Sequence, residues 1–129
     1  MKKKFCLLLS LFLLLSLNAC SKDLHFSIPE AASLSLMSGT TGEKISITDP
    51  ETIRAITEDV CAVHFVRDSS SKNYDGWSYS LHWFDAEGKE LEHVIVNGAD
   101  RIDYKDWFWL AVGSELIDID ALKVLLTAE

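Results

Sequence analysis

Cysteine is scarce in this chain. There are three, and Cys6 and Cys20 fall within the first twenty residues. Only Cys61 lies in the body of the chain, so no disulfide can form there and the fold must rest on a packed core. A lone thiol beside Val60, near the apolar end of an expected helix, reads as a small buried hydrophobe. Positive charge is also scarce, with 12 Lys and Arg against 20 Asp and Glu. Three of the twelve are Lys2, Lys3 and Lys4, which leaves 9 against 20 from Cys20 onward, a net of −11. Such a surface repels phosphate backbones and anionic headgroups, so no nucleic acid partner is expected. Long apolar runs are limited to Phe5–Leu17. That run is shorter than the ~20 residues of a comfortable membrane span, and no second run follows. The chain also lacks HExxH, paired CxxC, G-x-S-x-G, a Walker loop and the Rossmann glycines. No catalytic set and no cofactor are expected from motifs.

What is present begins with an address. Lys2–Lys4 form a basic start, Phe5–Leu17 an apolar core, and small Ala19 precedes Cys20, the layout of an export signal. Leu17, Ala19 and Cys20 resemble the lipobox of bacterial lipoproteins, in which Asn18 stands where a small or hydroxyl residue is commoner. The resemblance implies cleavage before Cys20 and acylation of its thiol and amine. Two or three acyl chains anchor stably where one is marginal. The expected organisation is a signal peptide over 1–19, an acylated Cys20 with a short polar tether over 20–30, and one domain over 31–129. The expected place is the extracytoplasmic face of the cell membrane, or the outer membrane in a Gram-negative envelope.

In the body of the chain, Leu34 and Leu36, then Ile45 and Ile47, alternate with polar residues around the turn Ser38–Gly42, which predicts two paired strands. Asp49-Pro50-Glu51 is a helix start: a capping carboxylate, a preformed φ, and an acid at the positive dipole end. Ile53, Ile56, Val60 and Val63 extend one stripe, so a helix is predicted over 50–62. Val63–Val66 predicts a short strand, followed by an exposed loop from Arg67 to Gly76.

The strongest local pattern is a hairpin. Trp77, Tyr79, Leu81 and Trp83 alternate with Ser78, Ser80, His82 and Phe84, and Asp85–Gly88 is a turn. With Asp85 opposite Lys89, Trp83 is expected to face Leu91, Tyr79 to face Ile95 and His82 to face Glu92. Trp77, Tyr79, Leu81, Trp83, Leu91 and Ile95 then form the core side. Two short strands, Arg101–Tyr104 and Trp107–Val112, follow, joined through Lys105-Asp106. A last helix over 118–126 takes its apolar surface from Ile119, Leu122, Val124, Leu125 and Leu126. The fold class is α+β: an antiparallel sheet of five to seven strands with two helices packed on one face. ITDPETI opening a helix and YDGWSYSLHWFDAEGKE forming a hairpin resemble small uncharacterised lipoproteins of low-GC Gram-positive bacteria. That group carries no activity to transfer.

Candidate sites are few. His25, His64, His82 and His93 are scattered, and the expected register sends His82 and His93 to opposite faces, against a shared zinc site. Asp100, Asp103 and Asp106 recur every three residues and are weak candidates for a calcium site, with a solvated acidic turn as the plainer reading. Trp107-Phe108-Trp109 places bulky rings on both faces of a strand. Core packing accounts for them if both faces are covered, and an uncovered ring would be a partner-binding anchor. Two functions follow: a non-catalytic binding or inhibitory module for another cell-surface protein, or a small tethered hydrolase or metal-dependent enzyme.

Overall fold

The computed structural model describes residues 22–128. The signal segment and Cys20 lie outside the described residues. Eight strands run in chain order: β1 (Asp23–Leu24), β2 (Ser33–Ser38), β3 (Lys44–Ile47), β4 (His64–Ser70), β5 (Tyr79–Phe84), β6 (Glu90–Val96), β7 (Arg101–Tyr104) and β8 (Trp107–Val112). Helix α1 (Pro50–Ala62) sits between β3 and β4, and α2 (Ile119–Thr127) follows β8. All strands join one antiparallel sheet in the order β1-β4-β8-β7-β6-β5-β2-β3. The α+β class is as expected, and the sheet exceeds the expected five to seven strands. No described helix is long and apolar enough to cross a membrane.

One strand comes from the expected tether. Asp23 and Leu24 pair with Val66 and Phe65 at the edge of β4. Phe26 is buried edge-to-face against Phe65 and Tyr104. Residues 22–30 therefore belong to the domain, because an apolar ring two residues from a paired strand gains more from the core than from water.

The expected Asp49 cap is observed, and Asp118 caps the second helix. The Asp49 carboxylate accepts from the Thr52 N–H at 3.0 Å and from its hydroxyl at 2.6 Å, which draws the Asp49 pKa down. Pro50 takes the first helical position. Asp118 accepts from the Ala121 N–H at the start of α2. Ile53, Ile56 and Val60 of α1 and Leu122 and Leu126 of α2 enter the same core as Leu34, Leu36, Leu81 and Trp83. Val124, expected in the apolar surface of α2, is instead 63% exposed. Cys61 is half-buried against the core. Trp83 is fully buried, and its indole N–H donates to Thr57 Oγ1 of α1 at 2.9 Å, so this large ring leaves no orphan donor.

The β5–β6 hairpin departs from the expected register. Its turn is as read: Asp85 N–H donates to Lys89 C=O, and the Asp85 carboxylate accepts from the Glu87 and Lys89 N–H groups. Beyond it, Phe84 pairs with Glu90 but Trp83 pairs with Glu92, which leaves Leu91 as a β-bulge. Tyr79 then faces Val96, Leu81 faces Val94, and His82 faces His93. Val94 and Val96 are fully buried, whereas Leu91 and Ile95 are half-buried. The physical reason is His93. An unbulged strand would send Leu91, His93 and Ile95 to the core together. The apolar gain from Leu91 and Ile95 is similar to that from two valines, at about 1.5–3 kcal/mol per side chain. An unpaired imidazole in the core costs about 1–3 kcal/mol, so the bulge that expels it wins.

Candidate functional site

Trp107, Phe108 and Trp109 lie on β8, and each ring has a cover. Trp109 packs against the core and its indole N–H donates to the Tyr104 carbonyl at 3.1 Å. Phe108 points to the opposite face and is buried there under Tyr74, edge-on at 4.9 Å, and under the Arg101 guanidinium at 4.5 Å. The Arg67 guanidinium stacks 4.4 Å above Trp107. The segment 67–76, expected to be an exposed loop, is exposed except at Ser71, but its first four residues extend β4 and Tyr74 lies against Phe108. Ser71 pins that loop by donating its hydroxyl to Asp103 at 2.6 Å. Asp100 precedes the four-residue β7 and Asp106 lies in the turn beyond it, so the three aspartates are spread along a strand. Tyr104 donates to Glu92 at 3.0 Å, and its pKa is pushed up to about 12 by burial and by that carboxylate.

The bulge builds a cluster that motif reading missed. His82 and His93 share one face, with rings stacked at 3.8 Å and 16°. His82 Nδ1 lies 2.5 Å from Glu90 Oε1, and Ser80 Oγ lies 2.9 Å from His82 Nε2 and 3.4 Å from His93 Nε2. Phe84 stacks on His82 at 6.2 Å. Burial holds the His93 pKa down, helped by His82 and opposed by Glu90, Glu92 and Asp103. Ser80, His82 and Glu90 thus stand in the order nucleophile, base and orienter. The serine, however, is nearly closed to solvent and sits on a strand paired on both sides, to Met37 and to Ile95. Neighbouring backbone N–H groups are engaged in the ladders, which leaves no aimed pair of donors for an oxyanion. Acyl transfer is disfavoured by that geometry.

The other face carries a groove. Helices α1 and α2 wall a cavity of about 770 Å³ floored by Ile56, Val60, Leu81 and Leu122. Asp49, Glu51, Asp59, Asp118 and Asp120 line it, and among the described residues no Lys, Arg or His does. Asp59 accepts from the Asp118 N–H at 2.9 Å, yet its pKa is raised, chiefly by burial and further by the charges of Asp118 and Glu115. Val124 stands exposed at the lip.

No family model, curated protein or solved structure matches the chain. Its function is therefore read from its own geometry. Asp49, Glu51, Asp118 and Asp120 were legible as residues at helix starts, but Asp59 lies in the last turn of α1 and its meeting with Asp118 depends on the three-dimensional packing. The histidine cluster was hidden by one bulged residue.

Proposed function

We propose that this chain is a lipid-anchored, extracytoplasmic binding module that takes a cationic, amphipathic segment of another cell-surface protein into the groove between α1 and α2. The carrying observation is the groove's composition among the described residues: an apolar floor, five acidic side chains along its walls and no base. An apolar ligand face would bury against Ile56 and Leu122, and flanking Lys or Arg would meet Asp59 and Asp120. The raised Asp59 pKa fits this reading, because a bound cation would relieve the crowding with Asp118 and Glu115. The helix-in-groove mode needs a partner helix with apolar positions at i, i+3, i+4 and i+7.

Acylation of Cys20 would hold the module close to the bilayer. Lys22 C=O accepts from the Arg67 N–H, so the described fold begins two residues after Cys20. Two residues of chain reach at most about 7 Å, which would keep an acylated module close to the bilayer. That proximity raises the effective concentration of the module toward other surface proteins.

The test is fluorescence anisotropy of the full chain in detergent with two helical peptides. They share one apolar face and carry Lys or Glu on the other. The Lys peptide is expected to bind, to weaken as salt rises, and to lose at least tenfold in affinity on Ala121→Arg, which adds a cation at an exposed groove position. Equal binding of both peptides, or indifference to Ala121→Arg, would overturn the reading.

A further inference from the structure

The open face of β5 and β6 holds two imidazoles and a carboxylate on adjacent strands. One donor atom from each of His82, Glu90 and His93 lies within 4.8 Å of the others. The side chains of His82 and Glu90 are 31% and 46% exposed, so an ion in solution can reach them. The His82 ring lies near-parallel to those of His93, at 3.8 Å, and Phe84, at 6.2 Å. Ser80 Oγ meets the Nε2 atoms of both rings, the position of an outer partner that orients ligating histidines.

We propose that His82, Glu90 and His93 form a binding site for a divalent transition-metal cation of borderline softness, zinc above all. Two imidazoles and one carboxylate are a recurrent zinc ligand set, and they leave a fourth tetrahedral position for water or a partner's donor. Tetrahedral bonds of about 2.0–2.2 Å place ligand atoms ~3.3 Å apart. The exposed Glu90 supplies the required closure by rotating its side chain, while the sheet holds both histidines. In the metal-free protein, His82 Nδ1 and Glu90 Oε1 are hydrogen-bonded at 2.5 Å. On binding, the ion exchanges waters of its own shell for one nitrogen of each neutral imidazole and one Glu90 oxygen, and each ring keeps its N–H on the other nitrogen. This site lies on the sheet, away from the helix groove, and does not depend on the groove's function.

The test uses the full chain in detergent, stripped with a chelator, and titrated calorimetrically with zinc chloride at pH 7 in two buffers of different ionisation enthalpy. One zinc per chain is expected, with an apparent enthalpy nearly independent of the buffer, as neutral imidazole ligands require. Glu90→Gln and His93→Gln are each expected to weaken binding at least ~100-fold, beyond the range of outer-partner changes. A His82→Gln/His93→Gln double variant that binds zinc as tightly as the parent would overturn the site. If a variant fails to fold, X-ray absorption of the zinc-loaded parent decides. Two imidazoles in the zinc shell support the proposal, and a shell without imidazole overturns it. Labelling of Ser80 by a fluorophosphonate in a chain that binds no zinc would replace it with the acyl-transfer reading.

Discussion

At the scale of single residues, two positions fix much of the molecule's behaviour. Gly39 lies where the β2 end meets Trp77: a Cβ there would stand 2.2 Å from the Trp77 carbonyl oxygen and 2.8 Å from its ring. Gly39 N–H also donates to the Ser78 carbonyl at 2.8 Å, so the backbones cannot separate without losing that bond. Gly39→Ala is expected to cost about 1–3 kcal/mol by overpacking, read as a lower urea midpoint with an unchanged slope. Asp59 acts through charge. Its pKa is raised in the folded chain, so the native state binds more protons than the unfolded state between the ordinary carboxylate value and the raised one. Stability therefore falls as pH rises through that window, and the full penalty is present at neutral pH. Asp59→Asn keeps an oxygen for the Asp118 N–H and removes the charge. Its thermal midpoint is expected above the parent's at pH 7, with the gap closing below about pH 3. A gap that stays constant across that range would refute the electrostatic account.

At the scale of elements, α1 docks on the sheet through one polar bond in an otherwise apolar contact. Thr57 Oγ1 accepts from Trp83 and donates to the Ile53 carbonyl at 2.7 Å. Thr57→Val keeps the shape and orphans a buried indole N–H, which is expected to cost about 1–3 kcal/mol. In a double-mutant cycle with Trp83→Phe, the two losses should sum to more than the double variant loses. Additive losses would show that the bond contributes nothing. This scale is also where sequence reading succeeded and failed. Asp49-Pro50 carries local chemistry and its helix start was legible to the residue, whereas the last helix, expected from 118, starts one residue later with Asp118 as its cap. The Asp85 turn was legible for the same reason. Leu91 was not, because β6 carries two interleaved apolar sets, Leu91/Ile95 and Val94/Val96, and alternation alone suits either. His93 breaks that tie only once Leu81 is known to lie opposite. The groove and the cover on Phe108 depend on contacts between distant segments, with no local signal in the sequence.

At the scale of the whole molecule, the chain presents two chemically distinct faces. The helix side offers an acidic apolar groove, and the sheet side offers stacked imidazoles beside Glu90. Between them, one core spans the sheet and both helices. The proposed anchor belongs to this scale. Cys20→Ala is expected to shift the chain from the membrane pellet to the soluble fraction or to leave it unprocessed. An intact mature terminus with unchanged partition would contradict acylation there. The central functional claim is that the groove, rather than the sheet, receives the partner. Amide hydrogen exchange of the full chain with and without the Lys peptide tests it most directly. The account predicts added protection confined to α1 and to 117–125. Protection centred on β5 and β6 instead, or no change along α1 and α2 at saturating peptide, would contradict it.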